Sequence, residues 1–83
     1  MEALDGNAIG GMLIEIFGAE MTTATAVCDH CGAAAAVAEA VVYLEAPGTV
    51  ARCRSCGTVL MVVVDKRGTK CVDLRGLAGL EAP

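Results

Sequence analysis

The 83-residue chain has no tryptophan, one tyrosine and one phenylalanine, so the large aromatic anchors that usually dominate small cores are missing. Long apolar runs are missing too. The longest unbroken run of large apolar residues is Val59 to Val64, whereas a membrane-spanning helix takes about 20 residues, so no membrane partner is expected. Lys and Arg are absent before Arg52, and the opening Met-Glu-Ala-Leu-Asp has no basic stretch leading into an apolar segment. We therefore expect no secretory signal. Nor does the chain contain a Gly-x-Ser-x-Gly nucleophile turn, a Gly-rich phosphate loop or a His-Glu-x-x-His zinc site, and Asp5, Asp65 and Asp73 form no short-spaced catalytic pair. Their expected roles are helix cap, turn and strand surface, and an enzyme is not expected.

What is present is an apparently generous hydrophobic fraction of 55%. Fifteen of those residues are alanine and five are cysteine, leaving a thin set of larger side chains to offset an ordering cost of roughly 1.5 kcal/mol per residue. A single domain of this size and composition needs a staple. Five cysteines are an odd number, and four of them stand in close pairs, which favours thiolate ligation in a reducing, cytoplasmic setting over a disulfide framework.

The coarse pattern is mainly β. Residues 5–18 read as an N-terminal helix, with Ile9, Met12, Leu13, Ile16 and Phe17 at helical spacing, Asp5 or Asn7 as cap and Gly18 as the left-handed terminator. Gly10 and Gly11 weaken this helix. They imply either close approach by another backbone or a short turn that precedes the helix, whose apolar stripe is expected to dock on a sheet. Residues 22–76 read as the β core. Thr22 to Cys28 forms one strand. Ala33 to Ala46 is alanine-rich enough for a helix, yet Val37, Val41, Val42 and Tyr43 also fit a strand, and the need to return to Cys53 favours a hairpin that turns at Ala46-Pro47-Gly48-Thr49 as type II. Thr58 to Val64 is a central or covered strand. Asp65 to Gly68 makes a tight type I turn, with Gly68 in the left-handed position, into a strand from Thr69 to Leu74. Residues 77–83 read as a short tail, with Leu77 and Leu80 suggesting one closing helical turn.

Chemistry concentrates in Cys28-Asp29-His30-Cys31-Gly32 and Cys53-Arg54-Ser55-Cys56-Gly57. Two intervening residues let one tight turn aim both thiolates at one ion, and the following glycine lets the backbone double back with its amides near sulfur. Two such turns close a tetrahedral four-sulfur shell around one structural metal ion. Zinc suits that shell, which keeps no open position for catalysis. Iron in the same shell is the minor alternative and makes the domain a rubredoxin-like one-electron carrier. The polar residues around the turns argue against it.

These turns and the hairpins between them resemble the zinc-ribbon superfamily, in which two zinc knuckles clamp a small antiparallel sheet. Leu4-Asp5-Gly6-Asn7-Ala8, both Cys-x-x-Cys turns and Val72-Asp73-Leu74-Arg75-Gly76 look like a small uncharacterised family of actinobacterial proteins with a predicted ribbon. The resemblance implies a small metal-stabilised, mainly antiparallel β fold with a short N-terminal helix. It also implies Cys28, Cys31, Cys53 and Cys56 as metal ligands, in agreement with the spacing.

The resemblance selects no activity, because ribbons serve many roles. The leading expectation is a structural module for protein–protein contact, with an unknown protein partner or a second copy of the chain. The net charge of −4 disfavours nucleic acid, yet all six basic residues lie in Arg52 to Pro83, so a nucleic-acid-binding ribbon is the alternative. His30 reads as a solvent-facing turn residue, with replacement of a cysteine ligand or a role as base as its sharper alternatives. Cys71 reads as an unengaged thiol or small hydrophobe, with a reactive thiol or part of a second site as the alternatives. Arg52 and Arg54 either moderate the charge of the thiolate centre, read phosphate or remain solvated.

Overall fold

The β-branched runs form strands β1 (Leu4–Asp5), β2 (Thr25–Cys28), β3 (Ala34–Ala36), β4 (Val41–Glu45), β5 (Gly48–Arg52), β6 (Val59–Lys66), β7 (Thr69–Asp73) and β8 (Leu77–Glu81), with one α-helix, α1 (Gly10–Phe17). This is seen in a computed structural model that describes residues 3–45 and 48–81. All pairings are antiparallel. They make a five-stranded sheet in the order β1-β4-β5-β6-β7 and a three-stranded sheet in the order β3-β2-β8. The chain is thus a small, mainly antiparallel β domain with a short N-terminal helix, and it is zinc-ribbon-like.

The N-terminal segment divides where its glycines stand. Residues Gly6–Ile9 form a 3-10 turn capped by Asp5, whose carboxylate accepts from the Asn7 amide at 3.1 Å, and α1 begins at Gly10. Gly18 closes the helix at φ 73° with its amide on the Ile14 carbonyl. Close backbone approach occurs not at Gly10 or Gly11 but at Gly6, where a Cβ would lie 1.9 Å from the Val37 carbonyl oxygen. Leu13 is fully buried and Ile9 nearly so, with Met12, Ile16 and Phe17 packed at the margin of the same core. Lys70 on β7 reaches Glu15 at 3.4 Å and ties the outer face of α1 to the large sheet.

The expected strand from Ala33 to Ala46 is two strands in different sheets. A 3-10 turn at Val37–Glu39 separates them, so β3 pairs with β2 while β4 pairs with β5. Tertiary contacts override the run's uniform composition at this turn. The Val37 amide donates to the Ala24 carbonyl, and the Ala38 amide to the Thr22 carbonyl. For the same reason β2 starts at Thr25 rather than Thr22, because Met21 to Ala24 make a turn closed by the Ala24 amide on the Met21 carbonyl. In the next hairpin Glu45 stands opposite Gly48, and Gly48 and Thr49 already belong to β5. The expected type II turn involves Ala46 and Pro47, which lie outside the described residues.

Strand β6 is central to the large sheet, flanked by β5 and β7. Its pairing slips between Ala51 and Arg52, leaving Leu60 as an extra residue. That bulge explains how the adjacent Leu60 and Met61 are both buried. The β6–β7 loop is two residues long, with Arg67 at φ 55° and Gly68 at φ 82°. Both angles are positive, as a type I′ hairpin requires, so the turn is not type I.

The residues expected to end in a helical turn form β8 instead. Leu80 stands opposite Ala26 and Leu77 opposite Cys28, with Ala78 as the extra residue of a bulge. The extra residue puts two leucines three positions apart on one side of a strand, a spacing that mimics a helix. One core joins helix and sheets, with Leu13 and Val42 fully enclosed and Met21, Val37, Leu60 and Val63 around them. No helix among the described residues is long and apolar enough to cross a membrane.

Candidate metal centre

Each cysteine pair occupies a turn between strands, and the two turns have the same hydrogen bonds. In the first knuckle the Gly32 amide donates to the Cys28 carbonyl and the Cys28 amide to the Ala33 carbonyl, both at 2.9 Å. In the second, the Gly57 amide donates to the Cys53 carbonyl at 2.9 Å and the Cys53 amide to the Thr58 carbonyl at 2.8 Å. Gly32 and Gly57 stand at φ 74° and 80°, the left-handed region that a side chain resists. The Cys31 amide turns back to the Cys28 sulfur at 3.5 Å.

The fold sets the knuckles face to face. All four Sγ atoms lie within 4.8 Å of one another. The pairs Cys28–Cys56 and Cys31–Cys53 each stand 3.7 Å apart. A tetrahedron with metal–sulfur bonds of about 2.3 Å has edges of about 3.8 Å, so two opposite edges already have the required length. The same separation is far beyond a sulfur–sulfur bond, and all five cysteines are free thiols. The cluster is suited to hold one metal ion.

Electrostatics divides the four thiols. The Thr58 hydroxyl, 3.2 Å from Cys56 Sγ, and the Thr58 amide hold the Cys56 thiol down at about 5 against desolvation, with His30 and Cys28 adding to the effect. The Cys56 amide likewise lowers the Cys53 thiol against desolvation, helped by the Ser55 amide and by Cys31. The Ala33 amide lowers Cys31, but desolvation and the hydrogen bonds with Cys56, Cys53 and Cys28 outweigh it and push that thiol up to about 11. Crowded sulfurs resist carrying several negative charges together. A divalent cation relieves that resistance by replacing the protons.

The centre has an inner and an outer half. Cys28 and Cys53 are 2% and 7% exposed, whereas Cys31 and Cys56 are open to solvent. Behind the inner pair lies an apolar cavity of about 40 Å³ walled by Ala26, Ala51, Leu60 and Leu77. Gly76 braces the two knuckles. Its carbonyl accepts from the Asp29 amide of the first at 3.0 Å, and its Cα rests on the Val59–Leu60 backbone just after the second.

The other residues singled out in the sequence take supporting positions. Arg52 donates to the Gly57 carbonyl at 2.9 Å and locks the second knuckle, while Arg54 donates to the Glu39 carbonyl at 2.8 Å and ties that knuckle to the 3-10 turn. His30 is exposed on its turn beside Cys56. Cys71 is exposed on β7 and is not part of the sulfur cluster. Asp73 grips the backbone and guanidinium of Arg75, which shapes the turn into Gly76. Thr58 was not anticipated; its place two residues after Cys56, where the first knuckle has Ala33, was the available signal.

The chain belongs to a family of unknown function, DUF6510, whose model matches residues 1–83. No curated protein and no solved structure matches it.

Proposed function

We propose, from a family membership that carries no activity with it, that this chain is a structural zinc-ribbon module and that its surface serves protein–protein contact. The observation that carries the metal reading is the pair of 3.7 Å sulfur–sulfur edges between knuckles. Cys28, Cys31, Cys53 and Cys56 would then be the four ligands. Zinc bound by four thiolates supplies cross-linking and charge compensation and has no vacant position for a substrate, which makes a non-catalytic role the natural one. The likeness of the two terminal motifs to an actinobacterial ribbon family, and a reducing cytoplasmic setting, belong to the same proposal.

The contact reading rests on apolar side chains left open at the domain's margins. Ile14 on α1 and Leu44 on β4 are 47% and 46% exposed, with Leu4 and Val72 also open. Leu4 stands opposite Val42 in the β1–β4 pair, so Leu4 and Leu44 flank a fully buried residue on one face. Arg52 and Arg54 each commit one N–H donor to a backbone carbonyl, a structural use that the nucleic-acid alternative does not need.

Metal analysis of the purified chain tests the first part, with one zinc per chain expected. A folded, metal-free protein defeats it, and a red iron-loaded protein replaces the structural reading with the electron-carrier one. Light scattering and partner recovery with Ile14→Glu and Leu44→Glu test the second. A monomer whose partners are indifferent to both changes counts against it.

A further inference from the structure

The two knuckles match in their backbone hydrogen bonds and differ in what reaches their outer sulfurs. Position for position, Cys31 corresponds to Cys56 and Ala33 to Thr58. The Thr58 hydroxyl lies 3.2 Å from Cys56 Sγ. Cys31 has the Ala33 amide as its local donor and, because Ala33 has no hydroxyl, no counterpart of the Thr58 bond. The inner ligands are out of reach at 2% and 7% exposure, while both outer residues are open.

Given the zinc reading above, on which this rests, we propose that Cys31 is the reactive ligand of the centre, a modification site for soft electrophiles at which the metal shell opens. A hydrogen bond to a metal-bound thiolate draws on the electron pair that would attack an electrophile, and a charge-assisted bond is the strong kind. The Cys56 thiol donates to the Thr58 hydroxyl, and once the sulfur is a metal-bound thiolate the hydroxyl is the only partner with a proton to give, so Cys56 takes a hydroxyl donor besides the Thr58 amide whereas Cys31 has the Ala33 amide alone. With a maleimide, the Cys31 electron pair forms a sulfur–carbon bond to the alkene. The displaced alkene pair takes a proton from water, leaving hydroxide. The product is a neutral thioether, so zinc loses one of its four thiolates and the chain loses the link between its knuckles.

The test uses the full-length Cys71→Ser chain, because Cys71 is an exposed thiol outside the cluster. After zinc content is measured, N-ethylmaleimide is added in limiting amount, modified cysteines are mapped by mass spectrometry, and zinc release is followed with a chromophoric chelator. Cys31 is expected to react at least about tenfold faster than Cys56, the ratio that loss of one charge-assisted hydrogen bond carries. Zinc release should keep pace with Cys31 modification. Thr58→Val should bring Cys56 up toward the Cys31 rate, and Ala33→Ser should slow Cys31 without unfolding the chain. A zinc-loaded protein in which Cys56 reacts first, in which both react alike, or in which Thr58→Val leaves the order unchanged overturns the assignment while the zinc reading survives. A folded chain that holds no zinc overturns both.

Discussion

Gly76 and Val59 touch backbone to backbone, so closely that a Cβ on Gly76 would stand 1.9 Å from the Val59 carbonyl oxygen. No rotamer relieves such a clash, because both partners are main chain. Gly76→Ala must push β6 away from the turn that holds the Asp29 amide, and it should cost about 3 kcal/mol or more. Gly11→Ala is the control. A Cβ at Gly11 meets nothing within 4 Å, and in a helix the change should stabilise by roughly 0.5–1 kcal/mol. Thermal unfolding followed by circular dichroism on metal-loaded protein distinguishes the two; similar melting temperatures would contradict the packing described.

Metal removal should unfold the domain rather than loosen it. The sulfur cluster joins knuckles that belong to different sheets, and binding energy in such a site is folding energy. Titration with a strong chelator is expected to abolish the β-sheet signal, and added zinc to restore it. Cys28→Ser or Cys53→Ser should lose both metal and fold, whereas Cys71→Ser should stay within about 0.5 kcal/mol of the parent. Retention of the sheet signal by the chelated chain would show that the core suffices alone.

Leu13 is fully enclosed between helix and sheets. Leu13→Ala should therefore cost about 2–5 kcal/mol, the range for deleting a buried leucine side chain. That is a large part of the stability of a domain this small. Denaturant titration of the metal-loaded chain measures it. A loss below about 1 kcal/mol would mean that α1 is not docked as described.

Asp73 gives a pH-dependent contribution to stability. The Arg75 guanidinium and amide hold its carboxyl down at about 2, below its ordinary 3.8. A depressed carboxylate contributes stability above its unfolded value and loses it as pH falls toward the folded one, here from about 3.8 to about 2. Proton competition for the four clustered thiols is expected at higher pH. Asp73→Asn should consequently lower stability at pH 7 and, because metal release and unfolding are expected to be one transition, move their shared acid midpoint slightly to higher pH. Stability at pH 7 unchanged in that variant would show that the Arg75 pairing contributes nothing.

The cysteine turns were the most legible part of the sequence, because local spacing alone brings Cys28 to Cys31 and Cys53 to Cys56. The helix was nearly as clear, from the stripe Ile9, Met12, Leu13, Ile16 and Phe17 and the Gly18 stop. Tertiary partners were much harder to read. Nothing in the run of alanines announces that Val37 will donate to Ala24 and divide the segment between sheets. The spacing of Leu77 and Leu80 pointed to a helix because a bulge adds one residue to a period of two. Gly6 and Gly76 stood out only as members of a resembling motif, and contact with the Val37 and Val59 backbones explains why those positions accommodate glycine.

The three-stranded sheet places its latest strand beside its earliest, with β2 in the middle and β8 on one edge. During synthesis the first knuckle leaves the ribosome with β3 as its only strand neighbour in that sheet, and the Gly76 carbonyl that secures Asp29 follows 47 residues later. The second knuckle appears well before that brace. Metal capture can thus precede completion of the smaller sheet, and the emerging chain can be gathered by its sulfurs before β8 closes it.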